Sequence, residues 1–90
     1  MTLETPYAEA ATLASAMQDE DARREIMQVV SAKDFADPKH RALMKAIESR
    51  IMSGQDVDPL LIRQDMENAG EFDERFDLRY LQRMLETIRS

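Results

Sequence analysis

Ninety residues, 43% hydrophobic and 33% charged, are enough for one domain with one core. A domain of this size hides roughly 60% of the surface of its unfolded chain, which leaves no room for a nucleotide-binding α/β domain or for two lobes around an active site. The absence of cysteine excludes a disulfide framework, thiolate metal sites and cysteine nucleophiles, and a net charge of −6 argues against a chain built to embrace phosphate backbones.

Residues 1–16 carry Glu4 and Glu9 and no basic region, so they do not read as a signal peptide. No apolar run approaches the roughly 18 residues of a membrane span. A cytoplasmic protein without a membrane partner is expected. Tyr7, Ala10, Ala11, Ala14 and Met17 line one face of a first predicted helix. The acidic turn Asp19-Glu20-Asp21 opens a second, with Ala22, Ile26, Val29 and Val30 as its apolar positions. Ser31-Ala32-Lys33-Asp34 has the pattern of a short capping turn that delivers Phe35 inward.

Two segments then read "Asp-Pro … Gly". Asp37-Pro38 and Asp58-Pro59 supply a side-chain acceptor for free backbone N–H groups, followed by a residue with no N–H and a helical φ. Gly54 and Gly70, the only glycines, fall where those helices should stop. Between the brackets Leu43, Met44, Ile47 and Ile51 form one buried stripe, and Ile62, Met66 and Ala69 another. Residues 70–77 form the longest connection, tethered by Phe72 and Phe76. Leu78, Leu81, Leu85 and Ile88 predict a last helix, capped by Asp73 or Asp77. No stretch alternates with period two. The expected fold is an all-α compact bundle of about five to six short helices, forming a single domain over residues 1–90. The methionines other than Met1 lie on or beside the apolar stripes, where Met fills irregular gaps; an adaptable partner groove is the competing use.

The charge is segregated. Residues 54–77 hold eight acids against Arg63 and Arg75, whereas residues 78–90 hold Arg79, Arg83 and Arg89 against Glu86. Solvated helix starts account for such an acid excess more simply than a partner-facing surface does. Arg75, Arg79 and Arg83, spaced i, i+4, i+8, make a basic stripe opposite the apolar one. Leu78, Leu85 and Ile88 join these arginines as a candidate partner surface, with acids of this chain or of a neighbouring copy as the natural counterpart. Three arginines without stacking aromatics make little case for direct nucleic-acid binding.

Catalytic chemistry finds no foothold. His40 is the only histidine and sits at the edge of the central stripe, where a packed or hydrogen-bonded role outweighs catalysis. Asp56 and Asp58 lack the spaced oxygen ligands and terminal Glu of a calcium loop. The serines have no nucleophile signature, and neither glycine belongs to a phosphate-cradling loop. No catalytic, cofactor-binding or metal-ligating residue is assigned.

The order of the motifs resembles the N-terminal domain of replicative DnaB-type DNA helicases. Tyr7-Ala8-Glu9-Ala10-Ala11-Thr12-Leu13 is similar to that family's opening helix. Asp34-Phe35-Ala36-Asp37-Pro38-Lys39-His40-Arg41 resembles its most telling segment, an acid-Phe pair and a short turn into Asp-Pro-x-His-Arg. Gly54-Gln55-Asp56-Val57-Asp58 resembles its Gly-x-x-Val-Asp turn, and Tyr80-Leu81-Gln82-Arg83-Met84-Leu85 its Tyr-Leu helix. The chain departs from the family at Arg75-Phe76-Asp77-Leu78, where a Gly-Gly pair is common. The resemblance implies fold-specifying roles for Phe35, Asp37, Pro38, His40, Arg41, Val57, Asp58, Tyr80 and Leu81. It also implies an interaction module of the primosome: the collar of a hexameric ring assembled as a trimer of dimers, docking primase and possibly a helicase loader. ATP, Mg and unwinding belong to a separate motor domain, so this chain is expected to be one non-enzymatic domain of a longer ATP-dependent helicase. A stand-alone phage- or plasmid-encoded adaptor or decoy that modulates helicase or primase is the alternative, and an acidic helical module that binds DNA directly is a more distant one.

Overall fold

The computed structural model describes residues 6–70, with side chains from Ala8 onward, together with residues 83 and 86. The described residues form four α-helices and one 3₁₀ turn and contain no strand: α1 (Pro6–Gln18), α2 (Glu20–Val29), the turn Ala32–Asp34, α3 (Pro38–Met52) and α4 (Pro59–Asn68). The helix predicted over 78–88 lies outside them, apart from positions 83 and 86, which are both helical and exposed.

Each start has a local cause. Asp19 sits in extended backbone and its carboxylate accepts the N–H groups of Asp21 and Ala22 at 2.9 and 3.2 Å, satisfying two of the donors that open α2. Asp37 accepts from Lys39 N and Asp58 from Leu60 N, both at 2.9 Å, and each is followed by Pro at the first helical position. In the 3₁₀ turn, the N–H and hydroxyl of Ser31 donate to Asp34 Oδ2 at 2.8 and 3.3 Å. The stops are equally local. Gly54 and Gly70 hold φ of +69° and +74°, the left-handed conformation that a Cβ penalises, just past the ends of α3 and α4.

Helix α1 packs on α2 and α3, and α3 packs on the 3₁₀ turn and α4, so α3 runs through the middle of the described domain. Its Leu43, Met44 and Ile47 are fully buried and meet Leu13, Phe35, Ile62 and Met66 in one cluster. The predicted stripes are right in their middles and wrong at their ends. Ile51 is 38% exposed, beside the open groove it lines with Met17 and Met27. Ala69 is exposed as the C-cap, one residue past the end of α4. Val29 is 62% exposed, since Ile26 and Val30 take the inward i, i+4 positions and turn Val29 aside. In α1 the buried face includes Leu13 and Ala16, beside the expected Ala14 and Met17, while Ala10 and Ala11 are only half-buried.

Candidate functional site

The residues singled out in the sequence divide between the two ends of α3. At its start, Phe35 is buried against the core and the chain turns through Ala36 and Asp37 into Pro38. This turn exposes backbone N–H groups to the interior, and they need an acceptor. It comes from α1, where Glu9 is buried among apolar neighbours. Glu9 Oε2 accepts Ala36 N–H at 2.7 Å, and Oε1 accepts Asp37 N–H at 3.3 Å and faces His40 Nδ1 at 2.8 Å. One carboxylate therefore serves three donors at the N-terminus of α3, where the helix dipole favours negative charge.

The electrostatics follow from that geometry. Burial pushes the Glu9 carboxyl up, but the hydrogen bonds from His40, Ala36 and Asp37 outweigh burial and hold it below its ordinary value. Glu9 is then an acceptor only, which places a proton on His40 Nδ1. Arg41 completes the junction from the solvent side, donating from Nε to Phe35 O at 3.2 Å and from Nη2 to Ala36 O at 3.3 Å. The Ala36 peptide is thus held by Glu9 at its N–H and by Arg41 at its carbonyl. With the His40 and Glu9 side chains 1% and 3% exposed, no substrate reaches the pair, and the chemistry open to it is structural.

At the far end, Val57 and Asp58 redirect the chain from α3 into α4. Val57 is half-buried and Asp58 caps α4. Arg50 grips this turn: Nε and Nη2 donate to the two carboxylate oxygens of Asp65 at 2.6 and 3.0 Å, and Nη1 donates to the Asp56 carbonyl at 3.1 Å. Hydrogen bonding to Asp65 raises the Arg50 pKa above its ordinary value. Among the described residues, no three His, Asp or Glu side chains come together as a metal site, and no helix is long and apolar enough to cross a membrane.

A family model described as the DnaB-like helicase N-terminal domain matches residues 2–90. The chain belongs to that family. The fold agrees: the crystal structure of the N-terminal domain of DnaB helicase from Mycobacterium tuberculosis superposes with a TM-score of 0.87 at 20% identity, over 97% of this chain. The match covers 60% of that structure's chain, so the present sequence spans about three-fifths of the length of the DnaB domain it resembles. No curated protein sequence matches the chain.

Within this DnaB-like domain, Phe35, Asp37, Pro38, His40 and Arg41 come together at one junction, and Val57 and Asp58 at a second. Tyr80 and Leu81 lie outside the described residues. So do Arg75, Leu78, Arg79, Leu85 and Ile88 of the candidate partner surface; Arg83 alone is described, helical and exposed. Sequence reasoning missed two side chains that organise the junctions, Glu9 and Arg50. A glutamate among alanines in a helix that otherwise buries its face was the available signal for Glu9. Arg50 offered none, since it reads as one more base near a helix C-terminus.

Proposed function

We propose that this chain is the N-terminal collar module of a replicative DNA helicase, a protein–protein interaction domain that self-associates and docks primase or a helicase loader. Its parent protein unwinds duplex DNA with ATP and Mg in a separate motor domain. The observation that carries this reading is the family match across residues 2–90. The opposite charge balances of residues 54–77 and 78–90 support contact between copies.

Analytical ultracentrifugation of the chain, alone and with the helicase-interaction domain of the primase from the same replicon, tests this. The expected outcome is reversible self-association and a complex at micromolar concentrations, both weakened when Arg79 and Arg83 are replaced by Glu. A strictly monomeric chain that leaves the primase domain free would overturn the proposal.

A further inference from the structure

The described methionines lie in two environments. Met17, Met44 and Met66 are no more than 3% exposed and belong to the core cluster with Leu13, Phe35 and Ile62. Met27 is half-buried against that cluster. Met52 is 88% exposed, more than any other large hydrophobic side chain among the described residues. It is the last residue of α3, followed by the exposed cap Ser53 and by Gly54.

A thioether sulfur is a two-electron reductant wherever an oxidant can reach it. With a peroxide, the sulfur attacks one oxygen of the O–O bond. That bond breaks, an S–O bond forms, and the hydroxide that leaves takes the proton of the transferred hydroxyl and departs as water. The sulfur is oxidised to a sulfoxide and the peroxide is reduced. Burial decides both the rate and the consequence. A buried sulfur is reached only through opening of the fold. At Met44 or Met66 the new oxygen would stand among apolar neighbours as an acceptor without water, which disrupts a core. At Met52 water solvates the oxygen, and an apolar side chain beside the α3–α4 turn becomes polar while the core stays intact.

We propose that Met52 is a redox-modification site: peroxide-class oxidants convert it to the sulfoxide in the folded domain, ahead of the core methionines, and change the surface beside the α3–α4 turn without unfolding it. Sulfoxide reductases reverse the reaction, so the mark is erasable. This goes beyond the reading of the chain as an interaction module and does not depend on it. The test exposes the 90-residue chain to dilute hydrogen peroxide, digests it with trypsin and follows the peptides by mass spectrometry. Cleavage after Arg41, Lys45, Arg50, Arg63 and Arg75 leaves Met44, Met52 and Met66 each as the only methionine of its peptide, 42–45, 51–63 and 64–75. Uptake of one oxygen in 51–63 should run close to the rate of free methionine. It should be at least about tenfold faster than in 42–45 or 64–75, whose sulfurs wait for the fold to open. In concentrated urea the three rates should converge. Once Met52 carries its oxygen, helical circular dichroism and the urea midpoint should be unchanged, and a methionine sulfoxide reductase with a thiol reductant should remove the oxygen. Equal rates in the folded chain, slow oxidation of 51–63, or a midpoint that falls as Met52 is oxidised would overturn the proposal. Rates that stay apart in urea would do the same, since sequence and not exposure would then set them. None of these outcomes touches the association with primase measured by ultracentrifugation, so the two readings fail separately.

Discussion

Helix α3 is tied down at both ends by a carboxylate, and the two ties differ in depth. At its start Glu9 reaches from α1 and meets three donors in a site where it and His40 are almost wholly buried. At its finish Arg50 reaches to Asp65 of α4 across a site that is 13% exposed on one side and 36% on the other. The first tie stands away from water, so every donor left without its acceptor keeps the full desolvation penalty. The second can fall back on water. One end of α3 is therefore bound to the fold, and the other is free to carry a surface.

The sharpest way to break the comparison is to delete the buried acceptor. Glu9→Ala leaves two N–H groups and an imidazole N–H without a partner, and a loss of about 3–5 kcal/mol is expected, against a total stability of about 5–15 kcal/mol for a domain. Urea denaturation followed by circular dichroism measures it. A loss within about 1 kcal/mol would mean that water enters the junction. The same residue gives a pH signature. Its folded pKa lies below the ordinary 4.5, so its contribution is present above pH 4.5 and disappears as pH falls through the folded value. Glu9→Gln removes that contribution, and its stability should change less with acidification below pH 4.5 than that of the parent.

The contrast also explains what was legible in the sequence. Helix starts and stops depend on neighbours one to four residues away: Asp37 on Lys39, Asp58 on Leu60, Gly54 and Gly70 on the helix just ended. These were readable. The cross-ties were not, because Glu9 meets His40 31 residues later and Arg50 meets Asp65 15 residues later, and nothing local marks either partner. Ile51, Val29 and Ala69 are exposed although each falls on the apolar pattern. Periodicity identifies the apolar side of a helix but not which of its positions other elements cover.

The two Asp-Pro caps provide the next test. Asp58→Ala removes one side-chain bond at an exposed helix start and should cost about 1 kcal/mol. Asp37→Ala removes the equivalent bond at the start of α3, but there the Glu9 carboxylate already engages the Ala36 and Asp37 N–H groups. Those bonds survive the substitution, so the expected loss is again about 1 kcal/mol, although the site lies beside the core. The urea midpoints of the two variants should nearly coincide. A much larger loss for Asp37→Ala would show that the cap and the Glu9 tie act as one unit rather than in parallel.

The smallest effect should come from Arg50→Lys, which keeps the charge but removes the planar fork. Lysine meets Asp65 as a point charge and cannot hold both carboxylate oxygens and the Asp56 carbonyl at once. Because the site is open to solvent, the displaced oxygens regain water and the ion pair is screened by salt. The stability deficit of Arg50→Lys should therefore be below that of Glu9→Ala and should shrink as sodium chloride is raised. The Glu9→Ala deficit should stay level, because its cost is desolvation and not exposed charge. A structural readout separates the two ties as well. In Arg50→Lys, amide exchange should quicken at Gln55 and Val57, in the turn beside the groove, while the amides of Ala36 and Asp37 keep their protection. Faster exchange at Ala36 would show that the ends of α3 are coupled through the helix and that the turn is not independent of the core.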